Sequence, residues 1–264
     1  MSSWAALRTE LDRWADAGLR ADFWWRDDDA VEPSPALDRL LALRSSRDLP
    51  LALAVIPAPA GRALAGRLRA ETGLKVLQHG YAHHNHAPDG DKTIELGSHR
   101  PVAKVMAELR VGRRKLEDLF GRQFIAVMVP PWNRIDDTVI AALARADYRG
   151  LSVFGARAHR FAAGRMLQSN VHLDVMNWTT RRFLGARPIL KRAVLHLHLR
   201  RSGEADRREP TGLMTHHLAH DRAGWDFIAR FLDETGGHPA ARWVGSGIAF
   251  RGPAKADPGH GRAA

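Results

Sequence analysis

The 264-residue chain contains no cysteine. Disulfide frameworks, thiolate metal sites and cysteine nucleophiles are therefore excluded, and the chain is indifferent to redox compartment. Lysine stands only at positions 75, 92, 104, 115, 191 and 255, so the 40 basic residues behind a formal charge of +11 are mostly arginine. No window approaches 18 uncharged apolar residues, and no membrane insertion is expected. The N-terminal stretch carries acids and has no apolar core of the kind an export signal needs, so a cytoplasmic protein is expected. No Gly-x-Gly-x-x-Gly follows the first apolar run, no repeat recurs, and no interdomain linker interrupts the chain. A composition of 45% hydrophobic and 26% charged residues is ordinary for a globular domain and excludes wholesale disorder.

What is present is alternation. Apolar runs at 22–25, 49–56, 75–78, 124–130, 150–154, 172–178, 211–215 and 243–250 predict strands. Helical spacing predicts helices over 35–44, 61–71, 101–120, 136–146 and 222–235. The run 194–200 fits either a strand or the end of a helix. Strands separated by helices predict βα units around a parallel sheet, and seven or eight units in about 250 residues suit a closed barrel. Residues 1–20, with Trp4, Leu7, Leu11 and Trp14 on one helical stripe, predict a helix packed on a barrel of residues 21–250. Residues 251–264, rich in Pro, Gly and charge, read as a flexible tail.

Five polar clusters follow predicted strands, where a parallel barrel carries its chemistry. Asp27, Asp28 and Asp29 are three consecutive carboxylates whose mutual repulsion must be met by a cation or by solvent. His79, His83, His84 and His86 crowd eight residues, and the spacing of His79 and His83 lets a helical turn or compact loop aim both imidazoles at one metal. Pro130 and Pro131 stiffen a turn and leave the Trp132 N–H as the next backbone donor, suited to an oxyanion or simply to a turn. Asp174 and Trp178 form a fourth cluster. His216, His217 and Asp221 form a fifth, in which His216 suits a general acid near neutral pH.

In order, Asp-Asp, His-x-x-x-His, Pro-Pro-Trp, Asp-(x)3-Trp and Leu-x-x-His resemble the motif series of the polysaccharide deacetylase (NodB-homology) family, carbohydrate esterase family four. The resemblance spans about residues 20–220. It implies an α/β fold, a distorted (β/α)7-type barrel in a single domain, and metal-dependent removal of N- or O-acetyl groups from a sugar, oligosaccharide or polysaccharide. It further implies Asp28 as base, His216 as acid and the Trp132 N–H as oxyanion donor. Asp29, His79 and His83 become ligands of a divalent metal, zinc first, with Co2+, Ni2+ or Fe2+ as alternatives. Tyr81, Pro131, Asn133, Arg134, Asp174 and Trp178 are implied on the substrate side.

Three departures from the pattern stand out. A shift to Asp27 and Asp28 as base and ligand is open, as is His217 in place of His216. The family's arginine before the paired prolines is Val129 here, leaving Arg26 or Arg134 as substitutes. Rival readings are a hydrolase acting on a phosphoester or cyclic amide, and an inactive barrel binding carbohydrate or an anionic polymer. The basic stretch 181–208 invites the last reading, but its only aromatic is Phe183, too few for nucleic-acid stacking, so a solvated helix face is expected there and nucleic acid is not; no protein partner is inferred.

Overall fold

The computed structural model describes residues 3–251. Helix α1 (Trp4–Asp16) precedes β1 (Ala21–Ala30), α2 (Pro35–Ser45), β2 (Leu51–Val55), α3 (Arg62–Leu68), β3 (Leu74–His79), α4 (Val102–Phe120), β4 (Phe124–Val129), α5 (Asp137–Arg145) and β5 (Gly150–Leu151). A run of short strands follows: β6 (Phe161–Ala163), β7 (Met166–Gln168), β8 (Leu173–Asp174), β9 (Met176–Asn177) and β10 (Arg182–Phe183). The chain then forms α6 (Ala186–Ser202), β11 (Thr211–Thr215), α7 (Arg222–Gly236), β12 (Ala241–Trp243) and α8 (Ser246–Ala249). Beyond Arg251, the expected tail lies outside the described residues.

The main sheet runs β6-β7-β5-β4-β3-β2-β1-β11-β8 and is parallel except for the β6–β7 hairpin, with β12 added in parallel to β1. One extended segment closes it into a distorted barrel. Leu167 and Gln168 pair with β5, Val171 donates its N–H to Val153, and Leu173 and Asp174 then pair with β11. The staves are thus β1 to β5, the β7–β8 segment and β11, a mostly parallel α/β barrel.

Period-2 alternation decides which side chains enter the barrel. On β1, Trp24 packs in the interior with Leu77, Val127, Val129 and Met214, whereas Phe23 and Trp25 pack outward under α6 and α7. Arg26 and Asp28 continue the inward face. The interior is plugged at its base by Phe250, whose ring stands edge-on to Trp24 at 5.6 Å. Phe250 belongs to the turn after α8, so the strand expected over 243–250 is instead the short β12 followed by a helical turn. That segment is apolar because it fills the barrel mouth opposite the polar clusters, not because it is pleated.

Helices cover the outside. Leu7, Leu11 and Trp14 of α1 are buried, and the Trp14 indole donates to the Leu197 carbonyl on α6. The ambiguous run 194–200 lies inside α6, where the paired apolar positions pack inward. Its arginines do not form one exposed face: Arg200 is buried and donates to Thr211, and Arg201 pairs with Glu10.

Candidate active site

Every β-strand end that carries a polar cluster opens on the same mouth, around a cleft of about 670 Å3. Asp28, Asp29, His79, His83, Trp132, Asn133, Arg134, Asp174, Trp178 and His216 all line it. Tyr81 and Pro131 do not. Tyr81 packs against the core under α4 and α5, and Pro131 is buried against Gly80, where an added Cβ would meet it at 2.7 Å.

The three acids separate by geometry. Alternation alone would send Asp28 into the barrel and both Asp27 and Asp29 outward. A bulge intervenes: the register against β2 passes from Asp27 opposite Leu53 to Ala30 opposite Val55, three residues facing two. Asp29 absorbs the extra residue with φ +70, a conformation costly for a side chain bearing Cβ, and turns its carboxylate into the cleft beside Asp28. Asp27 stays on the outer face. There its carboxylate accepts from the Thr215 hydroxyl at 2.6 Å, the His217 N–H at 3.1 Å and His217 Nδ1 at 2.5 Å. Burial by itself lowers the His217 pKa, but the Asp27 charge and hydrogen bond outweigh it and raise the value. Asp27 and His217 therefore form a buried pair behind the cleft, and Asp28, Asp29 and His216 face into it.

Asp28 is held by Arg26, two residues earlier on the same inward face. The guanidinium donates to both carboxylate oxygens at 2.8 Å from Nε and Nη2, and both residues are buried. Its remaining donors meet the Ser152 carbonyl and hydroxyl and Asn133 Oδ1, so all five N–H groups are used. Arg26, not Arg134, is thus the arginine that contacts Asp28; Arg134 goes elsewhere, donating to the Thr93 carbonyl and hydroxyl.

His79 Nε2 lies 3.0 Å from Asp29 Oδ1 and His83 Nε2 lies 3.5 Å from the same atom. One donor atom from each of the three residues lies within 4.8 Å of the others. His79 Nδ1 sits 2.9 Å from the Val129 carbonyl, which only accepts, so Nδ1 carries a proton and Nε2 is the nitrogen turned to Asp29. His83 reaches the group from a loop, not a helix. Gly80 turns the chain at φ +54, and buried Glu95 accepts the N–H groups of Tyr81 and Ala82. Glu95 carries no motif signal and escapes sequence reading. His84 is exposed, and His86 likewise lies outside the cluster. Burial raises the Asp29 pKa, but His79, His216 and His83 together hold it far below the carboxylate range.

Opposite, His216 Nε2 stands 4.0 Å from Asp28 Oδ2, and the Trp178 ring meets the imidazole edge-on at 4.5 Å. The Trp178 indole donates to Asp174 at 2.8 Å, and burial raises the Asp174 pKa. The His216 N–H donates to His220 Nε2 at 2.9 Å, a bond sequence reading also misses. Trp132 and Asn133 both take φ +55 after the prolines, and Trp132 packs against His83. Among the described residues, the Trp132 N–H meets no acceptor.

A second buried group, His172, His196 and Glu209, is less suited to a metal. His172 Nδ1 accepts the Gly212 N–H at 2.9 Å, which leaves the proton of the neutral ring on Nε2, and the two imidazoles lie stacked at 3.6 Å. A protonated nitrogen is no ligand, and stacked rings do not converge on one ion.

No protein-family model matches the chain. No curated protein matches it either. Solved structures do. A candidate polysaccharide deacetylase from Mycobacterium smegmatis aligns with TM-score 0.59 at 16% identity over 87% of this chain and 89% of that one. The Bc1960 peptidoglycan N-acetylglucosamine deacetylase, bound to an N-oxidanyl-benzamide, aligns with TM-score 0.55 at 12% identity over 90% and 95%. A family 4 acetyl xylan esterase from Clostridium thermocellum, bound to a cobalt ion, aligns with TM-score 0.53 at 12% identity over 87% and 90%. The chain therefore has the NodB-type fold of the family 4 carbohydrate deacetylases.

Proposed function

We propose that the cleft is the active site of a metal-dependent hydrolase that removes an acetyl group from the nitrogen or oxygen of a sugar, oligosaccharide or polysaccharide. The observation that carries this reading is the convergence of Asp29, His79 and His83 beside the Arg26-bound Asp28 and opposite His216. Two imidazole nitrogens and one carboxylate, with the His79 tautomer set by a backbone carbonyl, fit zinc or a similar divalent ion. Cobalt, nickel and iron suit the same donors. When bound, the ion supplies Lewis-acid polarisation of the acyl carbonyl and acidifies water.

The protein supplies the rest. Asp28 accepts the proton of the attacking water, and Arg26 fixes its carboxylate in orientation. The N–H of Trp132, without another acceptor, donates to the oxygen that gains charge as water adds to the carbonyl carbon. His216 then gives a proton to the departing nitrogen or oxygen, the C–N or C–O bond breaks, and acetate and the free sugar leave. Trp178 offers an apolar face to a sugar ring beside His216. Of the two supports for an inactive barrel, the missing family arginine and the basic stretch 181–208, the first is weakened by Arg26 at Asp28.

Acetate release from acetylated amino sugars and xylo-oligosaccharides, measured before and after loading with zinc or cobalt, tests the reading. Turnover that falls at least 100-fold in Asp28→Asn and in His216→Ala is expected; variants as active as the parent would refute it.

A further inference from the structure

Two arginines line the cleft with unspent donors. Arg134 uses one Nη to brace the Thr93 loop, and its Nε and other Nη make no hydrogen bond among the described residues. Arg192, on α6 across the mouth, is exposed and lies over the Phe154 ring at 5.9 Å. Neither pairs with a carboxylate among the described residues, whereas Arg26, beneath the same cleft, is spent on Asp28.

The charge of the cleft points the same way. Arg26 cancels Asp28, and a divalent ion at Asp29 leaves a surplus of one positive charge. Asp174 then stands against Arg134 and Arg192, so the loaded cleft is net positive by two charges. The charge at Asp29 would serve the acyl oxygen of any substrate, whereas Arg134 and Arg192, set against Asp174 alone, have no part in that chemistry. Guanidinium forks match carboxylate and phosphate oxygens in paired hydrogen bonds, and a positive cleft with low-dielectric walls draws anions in.

We propose that the substrate is an acidic one: an acylated sugar bearing a carboxylate or phosphate that Arg134 and Arg192 bind while Trp178 and Phe154 flank the ring. The substrate class rests on the deacetylase reading, but the anion subsite does not require turnover to be seen. Isothermal titration of the full-length, zinc-loaded chain compares three probes: N-acetylglucosamine, N-acetylglucosamine 1-phosphate and N-acetylmuramic acid. At least one anion is expected to bind 10-fold or more tightly than the neutral sugar, and which one does so identifies phosphate or carboxylate as the group recognised. The preference is expected to fall several-fold in Arg192→Gln, an exposed position whose loss leaves the fold alone, and to vanish in the Arg134→Gln, Arg192→Gln double variant. Equal affinities for all three probes, no measurable binding of either anion, or a preference that survives both substitutions would overturn it. Failure of the deacetylase reading shows separately, as absence of acetate release from every substrate while the anion preference persists.

Discussion

Arg26 shows how a catalytic arrangement is assembled from one strand. Side chains two apart on a pleated strand share a face, so Arg26 and Asp28 must both enter the barrel, and burial makes their pairing obligatory. Removing the cation while keeping the carboxylate leaves a buried charge unmet, at a cost of about 3 kcal/mol or more. Arg26→Gln is therefore expected to lower the urea midpoint markedly and to abolish turnover; Arg26→Lys, which keeps charge but loses the fork, should recover stability better than rate. Asp27 answers a different question. Because its carboxylate faces His217 and not the cleft, Asp27→Asn should lose about 1–3 kcal/mol from mismatched hydrogen bonds yet bind its metal ion as the parent does. Loss of the ion in that variant would mean that Asp27, not Asp29, is the ligand.

The same positions show what the sequence made legible. The five clusters mark the cleft, and Arg26 is legible as one of two candidate partners for Asp28; the alternation of β1, once its register is known, selects it over Arg134. The separation of Asp27 from Asp29 is not legible, because it depends on a bulge whose extra residue has no sequence signature such as glycine. Nor are the bonds of Glu95, thirteen residues beyond the Ala82 N–H that it accepts, or of His220, whose acceptance from the His216 N–H depends on the local fold of the loop. Tyr81 was misplaced for the opposite reason: adjacency to His79 suggests the cleft, but the Gly80 turn directs the ring into the core.

Among the elements, α4, α7 and β1 to β4 announce themselves by periodicity and apolar runs. Strands β5 and β8 fall within the apolar runs 150–154 and 172–178, although only two residues of each pair as strand, whereas α6 stays ambiguous because its apolar positions alternate. Closure of the barrel through β5 and β8 is a tertiary event with no local pattern. Gly150 marks how tightly that closure is built, since an added Cβ would lie 2.3 Å from the Phe250 ring. Gly150→Ala should cost about 1–3 kcal/mol by overpacking, and Phe250→Leu in the same chain should return part of it. Thermal melts of the two variants decide this, and an additive loss would place the strain elsewhere.

For the molecule as a whole, several histidines are buried neutral, and this sets its response to acid. Burial lowers the pKa of His220 from 6.5 to about 4, opposed in part by Asp27, and lowers those of His172 and His196 for the same leading reason. Below pH 6.5 the unfolded chain binds protons at these positions that the folded chain refuses, so stability falls as pH falls. For His220 the loss between pH 7 and pH 5 is about 2 kcal/mol. His220→Gln keeps an acceptor for the His216 N–H and cannot titrate, so its stability relative to the parent should improve by that amount across the same range. A difference that stays constant with pH would show that His220 is not buried neutral.

Everything proposed for the cleft depends on Asp29, His79 and His83 holding a metal ion. Elemental analysis of the purified chain without any added histidines, repeated for Asp29→Ala and His79→Ala, tests it most directly. About one divalent ion per chain, lost in both variants while their circular dichroism spectra remain those of the parent, is the predicted result. A parent that takes up no ion on reconstitution, or variants that retain it, would contradict the account.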